Sequence, residues 1–87
     1  MKQFNLLTGN TAGSNINGIH LYGTSSNNNL TSNIACSNTY DILDEDSNLG
    51  DENTCSTPLG WNDLDTTNCT STCPTLSGLG FESGWNL

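Results

Sequence analysis

Displacing the sequence against itself by 23 residues lays Leu7 to Ser26 over Leu30 to Leu49 without a gap. Seven of those twenty positions are identical: Leu7/Leu30, Thr8/Thr31, Asn10/Asn33, Ala12/Ala35, Ser14/Ser37, Asn15/Asn38 and Ile19/Ile42. Thr24/Ser47 is a close eighth pair. A fixed internal period of this size marks a chain that stacks one small structural unit on the next, because a single unit cannot bury its own apolar face. A third register follows at a shorter step, where Asn53-Thr54-Cys55 echoes Asn10-Thr11-Ala12 and Asn33-Ile34-Ala35. Cys55 thereby falls in the column of Ala12 and Ala35.

The paired Leu, Ala and Ile positions are expected to point inward, with Leu21 beside Ile19 on the period-two alternation of a strand. Each repeat then buries only a handful of side chains, and stacking about 4.8 Å apart joins them into one narrow core. No stretch carries apolar residues at helical spacing. Asn recurs where the chain must turn, since its side chain mimics a backbone turn and tolerates left-handed dihedrals, as Gly13, Gly18 and Gly23 also do. Stacked identical Asn side chains can bond to one another, so Asn10, Asn33 and Asn53 are expected to form a ladder.

Composition fits a fold that does not depend on a large core: 87 residues with only 32% hydrophobic and 11% charged. Nine acids against the single base Lys2 give a net charge of -8. Phosphate recognition needs Lys and Arg, so nucleic acid is excluded as a partner, and so is adhesion to anionic membranes. No apolar run approaches the roughly 20 residues of a spanning helix, and the first residues lack the apolar stretch of a signal peptide. Any export signal is expected upstream. Cys36, Cys55, Cys69 and Cys73 nevertheless read as a disulfide framework, with three pairings open. The sequons Asn29-Leu30-Thr31 and Asn68-Cys69-Thr70 suit the same exported setting.

Laid out this way, Asn15-x-x-Gly18-Ile19-x-Leu21 followed by Asn29-Leu30-Thr31-x-Asn33 resembles the parallel β-helix repeats of the NosD-like, copper-binding-protein-like family of archaeal and bacterial surface proteins. Tyr40-Asp41-Ile42, Gly50 to Cys55, Gly60-Trp61-Asn62-Asp63 and Asn68-Cys69-Thr70-x-x-Cys73 resemble the closing segment of such proteins. The expected fold is therefore all-β: a right-handed parallel β-helix of two to three coils with a disulfide-pinned C-terminal cap. Residues 1–54 would form the coils, 55–74 the Cys-rich cap and 75–87 a Gly/Ser-rich tail. Such repeats specify architecture more than function. The resemblance implies a non-catalytic structural or surface module at the end of an extracellular protein. The alternative is a carbohydrate-binding or carbohydrate-processing β-helix whose groove lies upstream. Expected partners are upstream coils or end-to-end copies of the chain, with glycans under the alternative.

Lyase chemistry on acidic sugars needs a cationic side chain, and the chain has no Arg. Asp41, Asp44, Glu45 and Asp46 could supply the carboxylate pair of a hydrolase, but read more simply as an acidic turn ending the second repeat. Calcium is the one candidate cofactor: Asp44-x-Asp46-x-Asn48 with Asp51 close behind has the oxygen spacing of a calcium loop, although Leu49 and Cys55 stand where an EF-hand needs Gly and Glu. Asn62-Asp63-Leu64-Asp65 offers a second partial set. Cys69-x-x-x-Cys73 lacks two further zinc ligands, so Cys55 is expected to bond to Cys69 or Cys73 and pin the closing segment. Copper would need a Met/His/Cys cluster that is missing. His20 should face outward. Trp61, Trp85, Tyr22, Tyr40 and Phe81 could stack on sugars, with Trp61 the better candidate to cover the core.

Overall fold

The computed structural model describes residues 5–24 and 26–74. Trp85, Phe81 and the expected Gly/Ser-rich tail lie outside those residues. The chain is all-β, with seven short strands and no helix among the described residues. Strands β1 (Leu6–Thr8), β2 (Thr11–Gly13) and β3 (Asn17–Leu21) form a first tier. Strands β4 (Asn29–Thr31), β5 (Ile34–Cys36) and β6 (Tyr40–Asp44) form a second tier upon it, and β7 (Leu49–Asp51) opens a third. All pairing is parallel, in three narrow sheets ordered β1-β4-β7, β2-β5 and β3-β6.

The pairing register is the sequence period. Leu7 sits beside Leu30, Ala12 beside Ala35 and Ile19 beside Ile42. At the third tier the step shortens, with Leu30 beside Gly50 and Ile34 beside Thr54. It shortens again where Leu43 meets Leu59. A constant register is enforced because a one-residue slip would turn every inward side chain outward.

The core is a thin column of Leu21, Leu30, Ala35, Ile42, Cys55, Trp61 and Cys69. Its burial is graded along the stack. Leu30, Ala35 and Ile42 are 0% exposed, whereas their first-tier equivalents Leu7, Ala12 and Ile19 are half-buried. The column Leu7, Leu30 continues into Gly50, where a Cβ would lie 1.9 Å from the Leu30 carbonyl oxygen and 2.9 Å from the Trp61 ring. Glycine there lets the indole slide across the end of the column, and Trp61 is buried as a result.

Residues 52–73 close this end. Leu64 N–H donates to the Gly50 carbonyl, Leu59 N–H to Ile42, and Ser71 N–H to Asn53, so each sheet gains a final backbone contact. Two disulfides hold the segment down: Cys55–Cys69 within it, and Cys36–Cys73 tying it to β5. Closing loops of 14 and 37 residues stabilises the fold by about 3 and about 4 kcal/mol on the chain-entropy account.

The expectation that Gly13, Gly18 and Gly23 take left-handed dihedrals is corrected. Gly9 (φ 70°) and Gly60 (φ 78°) do so, and the other left-handed residues are Ser, Asn, Asp or Glu. Gly9, Ser14, Asn27, Ser32, Ser37 and Glu52 each stand immediately before a corner asparagine. The corner is thus a two-residue device in which one residue bends the chain and the next bonds between tiers.

Candidate functional site

The most organised chemistry in the molecule is at these corners. Asn10 sends both its backbone N–H and its side-chain amide to Asn33 Oδ1, each at 3.0 Å. Asn33 repeats the pattern onto Asn53 Oδ1 at 3.0 and 3.1 Å. The side-chain amides of Asn33 and Asn53 also reach back to the carbonyls of Leu7 and Leu30, fixing their orientation. Asn33 and Asn53 are buried, at 1% and 0% exposure.

Two further ladders run parallel to this one. Asn5 bonds to Asn28 and Asn28 to Asn48, again through N–H and amide onto one Oδ1. Asn15 N–H donates to Asn38 Oδ1, while the Asn15 amide turns to the Gly13 carbonyl. The signal for both was present in the sequence, since Asn5/Asn28 and Asn15/Asn38 are 23 residues apart. Asn5 lies just outside the aligned window, and Asn48 follows the acidic stretch Asp44-Glu45-Asp46.

Each ladder ends on a carboxylate. Asp63 receives Asn53 N–H at 2.9 Å and its amide at 2.8 Å, together with Trp61 Nε1, Thr70 N–H and the Thr70 hydroxyl. Asp41 receives Asn38 N–H and amide on Oδ1, and Ser56 and Thr57 N–H on Oδ2. Asp44 Oδ1 takes the Asn48 amide at 2.7 Å. A chain of asparagines hands its donors in one direction, so its last member needs a group that only accepts. An ionised carboxylate is such a group, since both of its oxygens only accept.

Asp41 and Asp63 are 1% and 2% exposed. Burial works to raise the Asp41 carboxyl, but Ser56, Thr57 and Asn38 outweigh it and hold it below the ordinary value of 3.8. Burial likewise opposes ionisation of Asp63, and Asn53, Thr70 and Trp61 together pull it down. Both are therefore carboxylates at neutral pH, held by hydrogen bonds rather than by cations.

Each candidate calcium ligand has its Oδ1 atom engaged within the fold. Strand β6 ends at Asp44, so Asp46 lies beyond the strand. Asp44 Oδ1 also takes Asp46 N–H, and Asp46 Oδ1 takes Ser47 N–H. Asn48 Oδ1 belongs to its ladder, and Asp51 Oδ1 accepts Glu52 N–H. No group of three or more His, Cys, Asp or Glu side chains is arranged to hold a metal among the described residues. Comparison with protein-family models, curated proteins and solved structures finds no match to this chain.

The remaining surface is plain. His20 Nε2 lies 2.8 Å from Glu45 Oε2, and its ring stacks on Tyr22 at 4.0 Å. Asn29 and Asn68 of the two sequons are exposed. An open cavity of about 180 Å³ lies over the β4-β7 face against Leu49 and Leu64. No helix among the described residues is long and apolar enough to cross a membrane.

Proposed function

We propose that the chain is the closing end of a right-handed parallel β-helix, working outside the cell as a structural or surface module with no catalytic site of its own. The observation that carries this reading is the asymmetry of the stack: regular 23-residue tiers with half-exposed columns at one end, and a disulfide-held, carboxylate-terminated closure at the other. Parallel strands joined by crossovers are right-handed in nearly all proteins. Disulfides of this density suit an oxidising compartment. The NosD-like resemblance of the repeat is consistent with a cell-surface setting.

Among the described residues most buried polar side chains serve the ladders, and the buried carboxylates are the ladder ends Asp41 and Asp63. A module of this kind contributes length and resistance to unfolding. The reading requires no resident cofactor, and added calcium is expected to leave the melting temperature unmoved. A glycan array combined with a polysaccharide-hydrolysis panel tests it: no specific binding and no turnover are expected, together with protease resistance of the oxidised protein. A specific glycan hit that is lost on Tyr22→Ala or Tyr40→Ala would replace this reading with the carbohydrate-binding one.

A further inference from the structure

The ladders have a direction, and that direction selects what can dock on the first tier. Every amide that bonds to a corner Oδ1 of another tier points from the earlier tier to the later one: Asn5 to Asn28, Asn10 to Asn33, Asn28 to Asn48, Asn33 to Asn53. In the second tier each corner Oδ1 is filled by donors from the first. In the first tier, Asn5, Asn10 and Asn15 are exposed and donate forward or locally, and no donor among the described residues reaches their Oδ1 atoms. Backbone N–H groups donate both ways between tiers, and those facing the earlier tier define what its open face presents. Asn29, Ile34 and Tyr40 N–H reach back to the carbonyls of Asn5, Asn10 and Ile16. Their register partners Leu6, Thr11 and Asn17 direct the equivalent N–H groups toward the open face. Leu7, Ala12 and Ile19, half-buried where Leu30, Ala35 and Ile42 are fully covered, complete a surface that repeats the tier-to-tier interface.

We propose that this face is a docking surface for one further polypeptide tier whose corner asparagine amides donate to Asn5, Asn10 and Asn15, and that a second copy of the chain does not fit it. The proposal rests on the stacked reading above and names its partner. Among the described residues a copy's closed end offers no corner asparagine amide, because its ladders finish on Asp41, Asp44 and Asp63 and are covered by residues 52–73. Two open faces brought together would set acceptor against acceptor at all three corners, leaving polar groups unpaired in a newly buried interface. The occupant is therefore a 23-residue tier of the same corner chemistry, supplied by another segment of polypeptide.

The test duplicates residues 5–27 between Phe4 and Asn5 of the full chain, alongside a second version in which the duplicated Asn5, Asn10 and Asn15 are each replaced by Asp. The asparagine version is expected to melt higher than the parent and to slow amide exchange at the original Leu6, Thr11 and Asn17 by about tenfold or more. The aspartate version should do neither. Equal stabilisation by both versions, or no slowing by the asparagine version while Asn29, Ile34 and Tyr40 stay protected, overturns the proposal. Absence of protection at Asn29, Ile34 and Tyr40 in the parent overturns the stacked reading itself. Sedimentation of the parent should show a monomer at all concentrations, and a dimer that buries Leu6 and Thr11 would contradict the exclusion of a second copy.

Discussion

The first and second tiers of this molecule carry many of the same residues in the same columns and treat them differently. Leu7 and Leu30, Ala12 and Ala35, Ile19 and Ile42, Asn10 and Asn33 are identical pairs, yet the first of each is partly or wholly exposed and the second is buried. Position in the stack, rather than residue type, sets how much each contributes. A repeat supplies half of an interface. The other half comes from the next repeat or, at the closed end, from irregular chain carrying Trp61, two disulfides and the terminal carboxylates.

The closed end is expected to carry most of the stability. Replacing both cysteines of the Cys36–Cys73 pair with alanine should cost about 4 kcal/mol and losing Cys55–Cys69 about 3 kcal/mol, read by denaturant unfolding. For so small a core, full reduction should leave the chain unfolded, which loss of the β-sheet circular dichroism signal would show. A reduced protein that keeps its tiers would place stability in the repeats instead.

Matched substitutions sharpen the contrast. Leu30→Ala is expected to cost about 3 kcal/mol and Leu7→Ala about 1 kcal/mol, since only the former leaves an enclosed cavity. Asn33→Ala removes an acceptor and two donated bonds from a buried ladder and should cost about 2–4 kcal/mol, against less than about 1 kcal/mol for exposed Asn10→Ala. Equal losses within either pair would mean that the first tier is covered in solution.

Acid gives a smaller and graded effect. Asp41 and Asp63 have folded values depressed below 3.8, so their stabilisation is fully present above about pH 4 and is lost as pH falls through the folded values. Relief of repulsion among the nine acids acts in the opposite direction. The buried, multiply bonded pair should win, so that the melting temperature is flat above about pH 5 and declines below about pH 4.

Much of this arrangement was legible in the sequence because a stacked fold turns spatial register into sequence period. The spacing of Leu7/Leu30 and Ile19/Ile42 is the strand pairing itself, and the echo of Asn53-Thr54-Cys55 places Cys55 in the column of Ala35. The corners were read less completely. The bend falls on the residue before each Asn, so the dipeptides Gly9-Asn10, Ser14-Asn15, Ser32-Asn33 and Ser37-Asn38 hold the signal that Gly13, Gly18 and Gly23 do not. The carboxylate ends were least visible, because Asp41, Asp44 and Asp63 lie 3, 4 and 10 residues from the asparagines they serve, with no common spacing. Inside acidic stretches they look like surface charge or cation ligands, and only the fold shows two of them buried against amide donors.

The central claim is that an asparagine ladder must finish on a group that only accepts. Asp63→Asn is the most direct test, since it preserves shape and volume while turning an NH₂ toward donors already aimed at that site. Denaturant unfolding of the oxidised variant should show a loss of about 3 kcal/mol and a weaker dependence on pH below 4. A variant as stable as the parent to within about 0.5 kcal/mol, with an unchanged acid limb, would contradict it.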